Sequence, residues 1–108
     1  MTVGEKYREL LKIRKDIKEI DYDNNPIIKE MIDVLSNDIK DTINYLKNDC
    51  TAEEFIFVSE LFDEIVEKTQ SKEFIDCLYE VANKYPNETK KYNIINFIDN
   101  CKEYLDNE

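Results

Sequence analysis

The sequence predicts an all-α protein, a compact antiparallel bundle of about five helices. Three observations carry this prediction. Apolar residues recur every three to four positions along most of the chain. There is one glycine, Gly4, and there are two prolines, Pro26 and Pro86, where a sheet protein of this size would need more glycines for its turns. Helix-start chemistry stands at the breaks between the periodic stretches, in Asn25–Pro26, in Thr51-Ala-Glu-Glu54 and in Ser71. The 108 residues fit a single domain over positions 1–108. An apolar share of 42% suffices for one modest core and, spread as it is, separates the chain from disordered sequences despite its 37% of charged residues.

The first helix is expected from Gly4 to Ile20, with Tyr7, Leu10, Leu11, Ile13, Ile17 and Ile20 on one face. The break follows at Asp21-Tyr-Asp-Asn-Asn25, where Asn25 can accept from the new helix and Pro26 occupies its first position, whose N–H is not needed. The second helix runs to Asn48 with an apolar stripe of Ile28, Ile32, Leu35, Ile39, Ile43 and Leu46. Glu30, Asp33, Asn37, Lys40, Asp41 and Asn44 form its opposite face. Thr51 and Glu54 form a capping box that opens a third helix, Ala52 to Lys68. Ser71 caps a fourth, with Phe74, Leu78, Val81, Ala82 and Tyr85 inward, and Pro86 ends it with one short turn beyond. The fifth spans Ile94 to Leu105, with Ile94, Phe97, Ile98, Cys101, Tyr104 and Leu105 apolar. Short connections favour antiparallel neighbours.

Composition narrows the chemistry. The chain has no histidine, which removes the usual general base, the histidine-paired nucleophiles and the commonest metal ligand. A single glycine allows neither a phosphate-cradling loop nor a dinucleotide fingerprint, and no Asp-rich loop has the glycine of an EF-hand. Cys50, Cys77 and Cys101 are odd in number and far apart, which suits neither a disulfide framework nor a zinc site; they are expected as small core residues. Adjacent acids such as Glu53 with Glu54, or Asp63 with Glu64, point about 100° apart on a helix and share no face. The expectation is a non-enzyme with no cofactor and no metal. No apolar run approaches the roughly 18 residues of a membrane span, and the first residues do not form a signal peptide, so a cytoplasmic location is expected.

Charge is the strongest global signal. Fifteen Lys and Arg stand against 25 Asp and Glu, a net −10 with a pI near 4.5. Such a field repels nucleic acid and anionic lipid and attracts basic proteins. The expected partner is therefore a basic protein, with no direct nucleic acid and no membrane. Acidity is densest over residues 51–69, where six acids face one lysine. On a helical wheel Glu53, Glu60, Glu64 and Glu67 make one narrow stripe with Asp63 at its edge. Phe55, Val58, Phe62, Ile65 and Val66 lie opposite and form the core face. Phe57 projects beside the stripe, with Leu61 nearby and Ile56 on the other flank, an arrangement suited to an aromatic anchor framed by carboxylates. Packing on neighbouring helices is the competing reading of Phe57. Glu30, Asp33 and Asp41 on the second helix form a rival acidic face that extends or replaces the first.

The segment Thr51-Ala-Glu-Glu-Phe-Ile-Phe-Val-Ser-Glu-Leu-Phe-Asp-Glu-Ile65, with the size, acidity and helical class, resembles the small acidic immunity proteins of bacterial toxin–immunity systems, those of contact-dependent growth inhibition and of nuclease colicins. The resemblance covers about a fifth of the chain. It implies a cytoplasmic inhibitor that covers the active or substrate-binding surface of a basic toxin, a nuclease, and it places Glu53, Phe57, Glu60 and Glu64 in the contact. Two other readings stay open. A phage-type DNA mimic, directed against restriction or CRISPR enzymes, would need carboxylates spaced like duplex phosphates. A helical adaptor would bind a neutral partner with little sensitivity to salt.

Overall fold

Eight α-helices and one 3₁₀ turn make up the regular structure among residues 1–19 and 25–106, the residues that the computed structural model describes; no strand occurs among them. The helices are α1 (Val3–Lys15), α2 (Pro26–Asn37), α3 (Ile39–Asn48), α4 (Ala52–Ser59), α5 (Phe62–Thr69), α6 (Lys72–Lys84), α7 (Pro86–Lys91) and α8 (Ile94–Cys101), with the 3₁₀ turn at Lys102–Tyr104. The all-helical class holds, and the expected five helices become eight because the second and the third are each divided in two and the short turn expected after Pro86 is a helix of its own. The expected break at Asp21–Asn24 lies outside the described residues.

The anticipated caps form. Asn25 Oδ1 accepts from Ile27 N at 2.9 Å, with Pro26 at the first helical position. Thr51 Oγ1 accepts from Glu54 N, and Glu54 Oε1 accepts in return from Thr51 N, both at 3.1 Å. Ser71 Oγ accepts from Phe74 N at 3.0 Å. A second capping box, Thr2 with Glu5, opens α1 two residues ahead of the expected glycine.

The second expected helix breaks at Asp38. Ser36, Asn37 and Asp38 all have side chains that compete for backbone partners. Asp38 leaves the helical region at φ −132° and ψ 80° and caps α3 by accepting from Asp41 N. Thr42 Oγ1 then donates to the freed Leu35 carbonyl at 2.7 Å. The third expected helix is likewise divided. Around Glu60 the chain tightens to i→i+3 bonds, Glu60 N to Phe57 O and Leu61 N to Val58 O, and Ser59 Oγ donates to Ile56 O. The turn drives Leu61 into the core at 1% exposure, where the wheel had placed it beside the acidic stripe. The fourth helix ends at Lys84, as the residue before a proline should leave the helical region, and Pro86 opens α7. The first helix stops at Lys15, short of Ile20, and Ile13 faces out at 50% exposure. The fifth ends at Cys101, and of its apolar residues Phe97 and Tyr104 lie exposed.

Among the described residues, two take left-handed backbone conformations. Asn93 (φ 58°) turns α7 into α8, and Gln70 (φ 53°) ends α5, the position where such a conformation closes a helix. Gln70 also ties down the following chain: its Nε2 donates to Tyr104 O at 2.9 Å, and its Oε1 accepts from Asp106 N at 2.8 Å.

One core joins these elements. Phe55, Phe62 and Phe74 form a chain of tilted and edge-on rings, continued by Leu35, Leu46, Leu78, Val81, Ile94 and Ile98, all buried. The expected inner residues of the third helix, Phe55, Val58, Phe62, Ile65 and Val66, are buried without exception. α1 packs on α2 and α3, α3 on α6, α2 on α5, and α8 on α5, α6 and α7. The radius of gyration of 13.0 Å is that of a compact globule of this length. All three cysteines are free and buried, and burial pushes their thiols up, Cys50 and Cys101 to about 12 and Cys77 to about 11.

Gly4 marks the closest approach of α1 to α3. A Cβ there would lie 2.6 Å from Tyr45 Cδ1, and that ring cannot swing away because it packs on Tyr7 and its hydroxyl donates to Glu54. Gly4→Ala is expected to destabilise the protein by about 1–2 kcal/mol, overpacking outweighing the better helix propensity of alanine. Urea unfolding of the two proteins measures it; a stabilised variant would mean that the α1–α3 contact yields easily.

Candidate partner-binding surface

Phe57 sits on α4 facing the end of α1. It is half-buried, with the Arg14 guanidinium 5.4 Å and the Lys15 ammonium 5.6 Å from its ring centroid. The same two cations hold the flanking acids: Lys15 Nζ lies 2.6 Å from Glu53 Oε1, and Arg14 Nη2 lies 3.3 Å from Glu60 Oε1. The expected constellation of an aromatic ring between carboxylates therefore exists, but it is already occupied. Of the two readings of Phe57, packing on a neighbouring helix is the one found: cation–π attraction and ion pairing dock α1 onto α4 there. A sequence wheel treats one helix at a time and could not show that α1 ends in Arg14 and Lys15 at this point.

Glu54 is the more connected acid. It accepts from Arg8 Nε at 2.9 Å, Arg8 Nη2 at 3.2 Å, Tyr45 Oη at 2.8 Å and Thr51 N at 3.1 Å. Arg8 also donates to the Asp49 carbonyl at 2.7 Å. Burial pushes the Glu54 carboxyl up, but the hydrogen bonds from Arg8, Thr51 and Tyr45 outweigh it and hold the group below the usual carboxylate range. Glu54 thus joins α1, α3 and α4 and is a structural acid. Asp41 is another: its Oδ2 accepts from Val3 N at 3.0 Å, satisfying a free N–H at the start of α1.

Most of the remaining acids flank α5. Toward α2, Glu64 and Glu67 share a groove of about 350 Å³ with Lys29, Ile32, Asp33 and Lys68, and Lys68 Nζ pairs with Asp33 Oδ1 at 2.5 Å. Of the rival acidic face of the second expected helix, Asp33 meets the far half of the third across this groove, whereas Glu30 and Asp41 do not line it. Glu30 lies exposed on α2, beside a separate shallow depression formed with Lys6, Glu9, Leu10 and Val34. Toward α8, Asp63 is half-buried, and its carboxyl is pushed up first by burial and then by repulsion from Glu103. Glu53 and Glu60 are therefore separated from Asp63, Glu64 and Glu67 by the bend at Glu60–Leu61, and the expected stripe of Glu53, Glu60, Glu64 and Glu67 is broken in two.

Sequence reasoning passed over Arg8, Arg14 and Lys15, the cations that neutralise the α4 acids, and Glu103, which faces Asp63. Among the described residues, no group of three or more His, Cys, Asp or Glu could hold a metal ion, and no helix is long and apolar enough to cross a membrane. Compared with protein-family models, curated proteins and solved structures, the chain gives no match.

Two substitutions test the contacts that join α1 to α4. Glu54→Gln removes the charge that organises Arg8, Tyr45 and Thr51 and should cost about 1–3 kcal/mol. Because the folded carboxyl is held below its unfolded value, its contribution is fully present above the unfolded value and lost as pH falls through the folded one. The urea midpoint of the parent should thus fall more steeply between pH 6 and pH 3 than that of the variant; parallel pH profiles would remove Glu54 from this role. Phe57→Ala should lower stability by about 1–2 kcal/mol through lost packing and lost cation–π contact. A thermal melt unchanged by this substitution would show the ring to be idle in the fold.

Proposed function

We propose that the chain is an immunity-type inhibitor: a non-enzymatic, acidic helical protein that binds a basic toxin, a nuclease, and covers the surface on which that toxin would hold phosphates. The observation that supports this reading is the charged groove beside α5, where Asp33, Glu64 and Glu67 from two helices converge with Lys29 and Lys68 and leave a net negative charge, on a chain of net charge −10. The same Lys and Arg side chains that grip a phosphate backbone pair with carboxylates. An inhibitor that offers carboxylates on rigid helices competes for them directly. Opposite fields also speed encounter, on the order of 10–10³-fold, which suits a protein that must intercept a toxin before it acts. The resemblance of residues 51–65 to immunity proteins points the same way, and a cytoplasmic site of action belongs to this reading.

The test has two stages. The tagged chain is used at low salt to capture partners from its native cells, and the eluted protein is assayed for nuclease activity with and without the chain. The reading expects a basic nuclease inhibited at one-to-one stoichiometry, with binding weakened by salt. Glu30→Lys with Glu67→Lys should slow association by about ten-fold. A neutral partner held equally at high salt, or a partner whose activity the chain leaves intact, would overturn it; so would a restriction or CRISPR enzyme displaced by duplex DNA.

A further inference from the structure

Two hollows lie along the seam where α1 packs on α2. The first, of about 150 Å³, is lined by Met1, Val3 and Lys6 on one side and by Val34, Asp38 and Asp41 on the other. The second, of about 230 Å³, is lined by Lys6, Glu9 and Leu10 of α1 and by Glu30 and Val34 of α2. Residue numbers rise along one wall as they fall along the other, so the two helices run antiparallel here. Lys6 and Val34 belong to both hollows, which are therefore the two ends of one groove with a waist between them. From Val3 to Leu10 the α1 wall is about 10 Å long at the helical rise.

The floor of this groove is apolar and fixed. Val3 is buried, and Leu10 and Val34 are half-buried and packed against the core. Met1 stands at the rim, 72% exposed, with an unbranched side chain that can re-seat over a guest. The rim is acidic: Glu9, Glu30, Asp38 and Asp41 stand against Lys6 alone. None of these five side chains forms an ion pair among the described residues, whereas Arg8, Arg14 and Lys15 pair with acids of α4 and Lys68 pairs with Asp33 in the α2–α5 groove. At one end the backbone holds the carboxylates in place, since Asp38 accepts from Asp41 N and Asp41 from Val3 N. At the other end Glu9 and Glu30 line the same hollow from two helices, with Lys6 as the one cation in its lining.

We propose that the α1–α2 groove docks a cationic amphipathic helix of the basic partner. Apolar side chains one turn apart enter the two hollows, and flanking Arg or Lys side chains pair with Glu9 and Glu30 at one end and with Asp38 and Asp41 at the other. Charge complementarity names this occupant. The excess of carboxylates repels nucleic acid, anionic lipid and a second copy of this chain at net −10, and it attracts a cationic segment. The apolar floor favours a segment that also carries an apolar stripe, as in other helix-in-groove contacts. Lys6 adds selection: at the waist it repels a cation, so the charges of the guest belong at its ends and not at its middle. The proposal rests on the inhibitor reading and gives the partner a seat on the flank of α2 that carries Glu30 and Val34, distinct from the flank that carries Ile32 and Asp33.

The experiment is an NMR titration at low salt of the full chain, methyl-labelled at Met, Leu, Val and Ile, with two synthetic peptides of identical composition. In one, two leucines stand four residues apart with arginines outside them; in the other, the order is scrambled so that no apolar stripe forms. The expected result is saturable shifts of the Met1, Leu10 and Val34 methyls with the first peptide, binding that weakens as salt rises, and about five-fold weaker binding of the scrambled peptide. Glu9→Gln with Glu30→Gln should weaken the first peptide about five-fold, and Lys6→Gln should tighten it about two-fold, with thermal melts close to that of the parent. Tightening on loss of Lys6 is an effect that a merely structural groove does not produce. Absence of saturable shifts, shifts centred on Ile32 in the α2–α5 groove or spread over the surface, equal binding of both peptides, or unaltered affinity in both variants would overturn the proposal. Its failure is distinct from failure of the inhibitor reading: a captured nuclease inhibited equally by the parent and by the Glu9→Gln, Glu30→Gln variant removes this groove alone. Localised, stripe-dependent peptide binding by a chain that inhibits no nuclease removes the inhibitor reading and leaves the groove.

Discussion

The carboxylate of Glu54 is the joint on which the rest of the arrangement depends. Opening a helix leaves N–H groups unsatisfied, and bringing three helices together in a small protein forces polar groups into partial burial. Glu54 answers both demands at once, accepting from the Thr51 N–H of its own cap, from the Tyr45 hydroxyl on α3 and from Arg8 on α1. Its side chain is 13% exposed, so these bonds work in a medium less polar than water, where charge-assisted bonds gain strength. With α1 held there, its C-terminal end falls beside α4, and Arg14 and Lys15 come to rest over Phe57. The acids that a helical wheel offers to a partner are thereby partly consumed by the fold.

That consumption decides which acids remain at the surface for another molecule. Ion pairs between neighbouring helices cancel charge where α1 meets α4, whereas α5 has the shallow α2 groove on one side and Asp63 on the other. At Asp63 burial first and the charge of Glu103 second push the carboxyl up.

Much of the fold was legible because its signals are local. The N-caps at Asn25, Thr51 and Ser71 each need only a side chain and an N–H two or three residues on, and the core faces of α4, α5 and α6 follow the helical period. The missed breaks were of another kind. At Asp38 the run of Ser36, Asn37 and Asp38 was a visible warning that the unbroken apolar stripe outweighed; at Glu60 only Ser59 marks a bend that tertiary packing of Leu61 demands. The candidate site was less legible still. Its composition could be read, but the assignment of each acid to an internal or an external partner depends on where Arg8, Arg14 and Lys15 arrive from 40 or so residues away in sequence. Phe97 and Tyr104 share the apolar period of the fifth helix with buried Ile94, Ile98 and Cys101 yet lie exposed, since a period cannot tell the centre of a buried face from its margin.

The three thiols give the molecule a way to record its own breathing. Cys50 lies between α3 and α4, Cys77 on α6 and Cys101 at the end of α8, all buried and all with thiols pushed well above neutrality. Alkylating reagents attack the thiolate, and only where solvent reaches it. In the intact fold all three are silent, and each becomes reactive when its own neighbourhood opens. The order in which they are alkylated would therefore map, without any added probe, which part of the bundle loosens first and which part a bound partner holds shut.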